Sequence, residues 1–338
     1  MTLQARIKAF ADLGRYLNDP ENISEIELWA DMASHQNNWF TVENTQKSLK
    51  SIADFYLNED LLNQWIDLYE IPDMPTTVKS IGVIMAGNIP AVGFHDMMTI
   101  VLSGHACVAK LSTQDSYLMT TLIEKLLEIN PNLEIRIADK LNEVDALIAT
   151  GSDNSARYFE YYFKSKPNII RKNRTSIGIL NGNEQDEDFL NLGNDITDYF
   201  GLGCRNISKL YVPEKYNFTK FYDAIEPLGD IFYHSKYKNN YDYNKSIYLV
   251  NMMPHFDNGF MILAPSENLV SPISVIFYEE YKSEEDLKSK IKLNESKIQC
   301  IVSKESWFEK SLNFGDAQKP KLWDYADGVD TMAFLLNI

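Results

Sequence analysis

The first part of the chain has a helical pattern of apolar positions. Between residues 3 and 69, apolar residues recur three and four positions apart with acidic residues between them, and residues 61–69 form one amphipathic face. Such spacing places the apolar side chains on one side of an α-helix. We therefore predict a helical region over residues 1–75.

From residue 78 the pattern changes to short apolar runs that alternate with longer helical segments. Strands separated by helices of about ten to fifteen residues are typical of a parallel sheet with crossover helices. The predicted strands cover 78–86, 105–111, 133–137 and 146–149, with helices at 91–102 and 116–129. The fold class is therefore α/β.

Two α/β domains account for most of the chain length. The first, over 76–185, has the pattern of a mononucleotide-binding domain, and the second covers 186–315. The acidic stretch 184–188 is interpreted as the linker between them. The tail, 316–338, ends in an apolar run that we interpret as a strand docking on a sheet, of this chain or of a second subunit. Further strands are predicted at 176–180, 209–212, 261–263, 275–277 and 299–302.

Charge and composition exclude several functions. There are 32 basic and 48 acidic residues, a net charge of −16, which opposes non-specific nucleic-acid binding. Three cysteines cannot form a disulfide framework, which favours a reducing compartment. The apolar stretch 81–94 is too short to span a membrane, and residues 1–14 lack the apolar core of a signal peptide. We expect a cytoplasmic protein with no membrane span.

Cys204 is a candidate nucleophile. It lies in a turn, Gly-Leu-Gly-Cys-Arg at 201–205, where glycines allow a close approach of ligand and backbone. The alternative is a buried structural cysteine. Cys107 and Cys300 lie in apolar strand patterns, and for both we predict core packing.

Other candidate residues follow predicted strands. The amide of Asn88, in the turn at 87–90, could donate to an oxyanion, although an ordinary turn asparagine is the alternative. Lys110 ends a strand, where it could bind a ribose or a phosphate, or simply be solvated. Gly151 and Ser152 open a helix, and their free N–H groups suit a pyrophosphate.

A basic island over residues 164–174 has five positive charges and no acid, and it could receive a phosphate-bearing substrate or be a solvated loop. The standard dinucleotide fingerprint, the phosphate-binding loop and the serine-hydrolase elbow are all absent from the sequence. Histidines and carboxylates show no metal-ligand spacing, so we expect no metal site.

These signals occur in the order found in the aldehyde dehydrogenase superfamily. The turn at 87–90 resembles that superfamily's Asn-Phe-Pro turn, whose asparagine helps to form the oxyanion hole. The segment 201–204 resembles its Gly-Gln-x-Cys segment, which carries the nucleophilic cysteine. The resemblance thus implies catalytic roles for Asn88 and Cys204.

The same resemblance implies a set of cofactor-binding residues. Lys110 and Ser112 match the strand end that holds the adenosine ribose, and Gly151 and Ser152 match the turn at the pyrophosphate. Glu267 begins a segment similar to the superfamily's Glu-Glu-x-x-Gly-Pro, which reaches the nicotinamide ribose.

A closer resemblance is to the LuxC family of acyl-CoA reductases, typified by the reductase subunit of bacterial bioluminescence. The segments 174–178, 199–209 and 324–331 carry it, and it extends over residues 76–338. It implies that 76–185 is the cofactor domain, and that 186–315 is the catalytic domain carrying Cys204.

Two departures from the superfamily pattern are informative. Dehydrogenases that release free acids have a glutamate about 34 residues before the cysteine, which activates water. The corresponding stretch here, 169–174, contains no carboxylate, which favours thioester reduction. NAD-preferring relatives often have a glutamate where this chain has Thr113, a residue that would not repel a 2′-phosphate. We therefore expect NADPH, although Asp115 lies nearby.

The sequence thus predicts an NADPH-dependent reduction of a fatty acyl-CoA, or an acyl-carrier thioester, to the aldehyde through an acyl-cysteine. One alternative is NAD(P)-dependent oxidation of an aldehyde. A second is a non-reducing acyl carrier or acyltransferase that uses the same cysteine, and a third is a catalytically silent scaffold. The family also suggests a homo-oligomer and a synthetase partner that supplies the acyl group.

Overall fold

The N-terminal pattern forms α-helices, as predicted. The protein is described by a computed structural model that covers residues 1–151 and 153–338. Threonine side chains cap the N-termini of the first and third helices. The hydroxyl of Thr2 accepts from the N–H of Ala5, and that of Thr41 accepts from the N–H of Asn44. The helices of this region are α1 (Leu3–Asn18), α2 (Ile23–Gln36), α3 (Val42–Ser51) and α4 (Glu59–Ile66).

A parallel sheet follows, with its first strand at the centre. Its elements are β1 (Ser80–Ile84), α5 (Phe94–Leu102), β2 (Ala106–Lys110), α6 (Ser116–Ile129), β3 (Ile135–Ile137), β4 (Ala146–Thr150), α7 (Asp153–Phe163) and β5 (Asn168–Arg171). Within the described residues the strand order is β3-β2-β1-β4-β5, and every pair is parallel. Ile81, Val83 and Ile148 are fully buried, and the α/β prediction is confirmed.

The strand order reverses between β1 and β4. The chain adds β2 and β3 on one side of β1, then returns to add β4 and β5 on the other. The carboxyl ends of β1 and β4 therefore lie side by side at this switch point, the edge at which open parallel sheets bind ligands. The turns at 87–90 and 150–151 follow these two strand ends.

The second half of the chain forms a sheet of its own. Its elements are β6 (Thr175–Ile179), α8 (Asp186–Thr197), β7 (Ile207–Pro213), α9 (Thr219–Ile225), α10 (Ser235–Val250), β8 (Phe256–Asp257), β9 (Ile262–Pro265), β10 (Val275–Tyr281), α11 (Glu284–Lys292) and β11 (Ile298–Ser303). The described strands follow the order β11-β6-β7-β10-β9-β8, and β8 alone among them pairs antiparallel. Buried aromatic and aliphatic side chains from β7, β9, α8 and α9 form the largest core cluster of this half.

The chain divides into two compact units. Unit 1 contains Met1–Asn173 and Pro320–Ile338, and unit 2 contains Arg174–Lys319. This division differs from the predicted boundary at 185, because β6 pairs with β7 and β11 and so belongs to unit 2. The pattern of a buried strand does not indicate which sheet it joins.

The acidic stretch 184–188 caps a helix and is not a linker. Glu184 is buried, and its carboxylate accepts from the N–H groups of Asn181 and Gly182 at 2.6 and 3.0 Å. Gln185 and Asp188 form a reciprocal capping box at the start of α8.

The tail ends in a helix, α12 (Thr331–Leu336), where we predicted a docking strand. The carboxylate of Asp330 accepts from the N–H of Ala333 at 2.8 Å and so begins the helix. Met332 and Leu335 are fully buried in the core of unit 1, where α12 packs on α5. A short apolar run suits either element, and here the capping aspartate favours the helix.

A buried polar network holds the segment before α12. The hydroxyl of Tyr325 contacts the indole nitrogen of Trp65 at 2.9 Å and the hydroxyl of Tyr69 at 2.8 Å. Tyr69 in turn donates to Asp330, and Nε2 of His95 lies 2.9 Å from the carbonyl oxygen of Leu322. Tyr325, within the Asp-Tyr-Ala-Asp-Gly motif at 324–328, therefore anchors the tail to residues 65–69.

Among the described residues, no helix has the length and apolar character needed to cross a membrane.

Candidate active site

The turns that follow β1 and β2 approach each other closely in unit 1. A Cβ atom on Gly87 would lie 2.4 Å from the hydroxyl oxygen of Ser112, so only glycine fits there. Asn88 comes next in the chain and is partly exposed. The predicted oxyanion donor and the predicted ribose-binding residue Ser112 therefore lie on adjoining turns.

Asp115 supports the Asn88 turn from inside the protein, a role that the sequence analysis missed. It is 1% exposed, and its Oδ2 accepts from the N–H of Ala91 at 2.9 Å. Ala91 has a φ of 55°, a left-handed conformation that is uncommon for a residue with a Cβ. Burial raises the pKa of Asp115 to about 8, so its carboxyl group is mostly protonated at neutral pH.

The remaining cofactor candidates of unit 1 lie at the same edge of the sheet. Lys110 ends β2 and is exposed, Thr113 is exposed, and Ser112 is half-buried. Gly151 follows β4, and a Cβ on it would lie 3.0 Å from the Cβ of Ser155. Ser152 falls outside the described residues.

The cations of the basic island at 164–174 bind several different partners. Arg171 is 3% exposed and binds Asp96 at 2.5 Å and the hydroxyl of Thr331 at 2.7 Å. Lys166 donates to two backbone carbonyls, and Lys172 pairs with Glu160 at 3.0 Å. These contacts favour a structural role over a shared phosphate site.

Cys204 is exposed, on the turn between α8 and β7 in unit 2. Tyr199 and Phe200 both have positive φ angles, 51° and 59°, and Gly201 has 75°. The backbone carbonyl of Cys204 accepts from the hydroxyl of Ser176 at 3.0 Å. The alternative of a buried structural cysteine is therefore wrong for this residue.

Asn206 shapes the turn that carries Cys204, a role that was not predicted from the sequence. It is 2% exposed; its Oδ1 accepts from the N–H of Gly203 at 2.8 Å, and its Nδ2 donates to the carbonyls of Asp195 and Asp198 at 3.0 and 2.8 Å. A polar residue two positions after a candidate nucleophile was the available signal. Arg205, next to the cysteine, donates to the carbonyl of Ala317.

The other two cysteines differ in exposure. Cys107 is buried in β2, as predicted, and burial raises the pKa of its thiol well above the usual range. Cys300 lies in the edge strand β11 and is half-buried, so it is less enclosed than we expected. Its sulfur lies 3.1 Å from the hydroxyl of Ser176.

Glu267 follows β9 in unit 2, and its side chain is exposed. Its backbone carbonyl accepts a hydrogen bond from the ammonium group of Lys209, at 3.0 Å. Unit 1 therefore contains Asn88 and the described cofactor candidates 110–113 and 151, and unit 2 contains Cys204 and Glu267.

The fold matches that of aldehyde dehydrogenases. Aldehyde dehydrogenase 21 of Physcomitrella patens, solved in complex with succinate, superposes with a TM-score of 0.71 and 13% identity, covering 100% of this chain and 84% of that one. An aldehyde dehydrogenase of Mycobacterium tuberculosis, solved with NAD⁺, gives a TM-score of 0.61 and 12% identity over 90% of this chain and 73% of its own. The protein thus has an aldehyde dehydrogenase-like α/β fold.

The sequence comparison is more specific. Residues 74–212, which include both Asn88 and Cys204, match the family model for acyl-CoA reductase (LuxC). The chain is also 22% identical, over 205 residues, to the long-chain acyl-protein thioester reductase of Aliivibrio fischeri. That match covers 54% of this chain and 42% of the relative, so it spans less than half of the relative's length. The LuxC resemblance inferred from the motifs is confirmed over residues 74–212.

The carboxyl group of Asp115 gives a prediction for stability against pH. Its ordinary pKa of 3.8 rises to about 8 in the folded protein, so between these values the folded state keeps a proton that the unfolded chain releases. This group therefore makes stability fall as pH rises, by about 1.4 kcal/mol per pH unit. Asp115→Asn removes the titration and keeps an acceptor for Ala91.

We expect the melting temperature of Asp115→Asn to fall less between pH 6 and pH 8 than that of the native chain, measured by circular dichroism. The matched control is Asp67→Asn, at an exposed aspartate of unit 1, which should keep the native slope. Burial also raises the pKa of Asp195, to about 7. This residue titrates in both variants, so part of the dependence of melting temperature on pH remains in Asp115→Asn. Equal slopes for Asp115→Asn and the native chain would contradict the assignment.

Proposed function

We propose that the protein reduces a fatty acyl thioester, such as an acyl-CoA, to the aldehyde with NADPH. The observation that carries the proposal is the exposed Cys204 on a turn held by Asn206, inside the segment that matches the LuxC family model. A thiol so presented can attack a carbonyl carbon, whereas the thiol of Cys107 is enclosed by the core. The curated relative's name, a thioester reductase, supports the same reaction type.

The stretch 169–174 supports reduction over hydrolysis. The resemblance aligns it with the segment that supplies a water-activating glutamate in acid-forming dehydrogenases, yet it has no carboxylate. Arg171, within it, is buried against Asp96 and Thr331 and is not available as a base. Without a positioned general base, which typically contributes about 10²–10⁴-fold, attack of water on an acyl-cysteine is slow. The acyl group therefore persists until it is reduced.

The described residues at this edge of the sheet of unit 1 fit a dinucleotide. Lys110 provides an exposed cation for ribose or phosphate oxygens, and at Gly151 a larger side chain would crowd the turn that follows β4. Thr113 is exposed and uncharged, which suits a 2′-phosphate. Asp115, which argued against NADPH in the sequence, is turned into the protein and bonded to the backbone of Ala91. These contacts favour NADPH over NADH.

The reaction proceeds through one covalent intermediate on Cys204. Its thiolate attacks the thioester carbonyl, the amide of Asn88 donates to the oxyanion, and the thiolate of coenzyme A leaves with the electron pair of the broken carbon–sulfur bond. NADPH, when bound, supplies a hydride to the acyl-cysteine. The thiohemiacetal then collapses, which releases the aldehyde and returns the electron pair to the sulfur of Cys204. One acyl-CoA, one NADPH and one proton thus give one aldehyde, free coenzyme A and NADP⁺.

A spectrophotometric assay tests the proposal. We expect NADPH absorbance to fall only when an acyl-CoA is present, with an aldehyde as product and a lower rate with NADH. Cys204→Ala should abolish the reaction, and the matched control Cys107→Ala, at a cysteine enclosed in the core, should retain it. An absence of NADPH oxidation with the native chain, across acyl-CoAs of short to long chain length, would contradict the proposal. Free acid as the product would instead indicate aldehyde dehydrogenase chemistry.

Asn88→Ala tests the oxyanion role. One such donor contributes on the order of 3 kcal/mol to transition-state stabilisation, so turnover should fall at least about tenfold. The affinity for NADPH, measured by fluorescence titration, should stay nearly unchanged because the amide acts on the substrate. Asn132→Ala, at an exposed asparagine of the same unit, serves as the control. Unchanged turnover in Asn88→Ala would remove this residue from the mechanism.

A further inference from the structure

Two side chains of β7 hold the segment 267–269, which follows β9. The ammonium group of Lys209 donates to the carbonyl of Glu267 at 3.0 Å, and the hydroxyl of Ser208 donates to the carbonyl of Leu269 at 2.8 Å. Both bonds go to backbone atoms, so the carboxylate of Glu267 is left exposed. The backbone on either side of Asn268 is therefore fixed.

Lys209 is an unusual residue to find at this place. It is 0% exposed, and its charge is compensated by the carboxylate of Glu279 on β10, which also binds Lys290 of α11 at 2.6 Å. The ammonium group lies 4.9 Å from the centre of the Tyr211 ring. Burying an ammonium group is costly, and a buried ion pair commonly stabilises a protein no better than apolar residues of the same size would. A positional role accounts for Lys209 better than stability does.

The same short strand is linked to the cysteine turn. Ser208 and Lys209 lie four and five residues after Cys204, and the hydroxyls of Ser208 and Thr175 are 2.7 Å apart. Ser176, next to Thr175, donates to the carbonyl of Cys204 at 3.0 Å. The start of β6 and β7 thus holds both the nucleophile turn and the segment 267–269, all within unit 2.

We propose that Lys209 and Ser208 are positioning residues for hydride transfer, because they fix Glu267 relative to Cys204. The inference rests on the proposed function and on the resemblance, which implies that Glu267 reaches the nicotinamide ribose. Acylation of Cys204 does not need the cofactor, so these residues act on the second half of the reaction. Loss of either hydrogen bond slows reduction of the acyl-cysteine and leaves its formation intact.

The test separates the two half-reactions. The first half-reaction is measured without cofactor, with the acyl-CoA that the native chain reduces fastest. Mass spectrometry follows the transfer of the acyl group to Cys204. The acyl-enzyme is then mixed with NADPH in a stopped-flow instrument. We expect Lys209→Met and Ser208→Ala to slow the NADPH step at least about tenfold, with acylation changed by less than about twofold. Ser208→Thr, which keeps the hydroxyl, should restore the NADPH step.

The matched control is Lys245→Met, which removes a cation paired with Asp257 elsewhere in unit 2 and should keep both half-reactions. The inference is overturned if Ser208→Ala lowers the rates of both half-reactions equally, or if it changes neither rate. This outcome decides the question even if Lys209→Met fails to fold. A native chain that neither takes up an acyl group nor oxidises NADPH overturns the proposed function and this inference with it. If the native chain is active and the Lys209 and Ser208 variants reduce the acyl-enzyme at the native rate, the inference alone is overturned.

Discussion

The guanidinium group of Arg171 joins three parts of unit 1 that are distant in the sequence. It stands at the end of β5, binds Asp96 in the first turn of α5, and donates to Thr331 at the start of α12. Removing the carboxylate of Asp96 would take away the charge partner of a buried guanidinium group, which is strongly destabilising. Helix α5 follows the Asn88 turn directly, so this contact also restrains the element on which the proposed oxyanion donor depends.

The same residue also bears on the proposed reaction. Arg171 lies in the stretch 169–174, which resembles the segment that carries a water-activating glutamate in acid-forming aldehyde dehydrogenases, and a guanidinium group paired with Asp96 cannot act as a base. In the proposed reaction, the absence of a carboxylate from residues 169–174 leaves an acyl-cysteine on Cys204 slow to hydrolyse, so that it remains available for reduction.

Much of the fold could be predicted because its signals are local. The alternation of apolar runs and helical segments after residue 78 identified the parallel sheet, and its strand ends identified the edge at which Asn88, Lys110 and Gly151 lie. The tail could not be predicted, because the run at 332–336 has the same apolar character in a strand and in a helix. The unit boundary depended on the pairing of β6 with β7, which is a long-range contact that no local pattern encodes.

The supporting residues of the site were missed for a similar reason. Asp115 lies at the start of α6, where an aspartate usually caps the helix, yet here its carboxyl group holds the backbone of Ala91. Asn206 and Lys209 act on backbone atoms that only folding brings near them. Residue types in the sequence indicated which groups could react, whereas the groups that orient them emerged from the structure.

The fate of the acyl group on Cys204 is the most direct test of this account. The native chain is incubated with an acyl-CoA without cofactor, the adduct is located by mass spectrometry of its peptides, and NADPH is then added. We predict an acyl group on Cys204 that is stable in water and is released as the aldehyde once NADPH is added, with one NADPH oxidised for each acyl group. Release as the free acid, or an adduct on another residue, would contradict it.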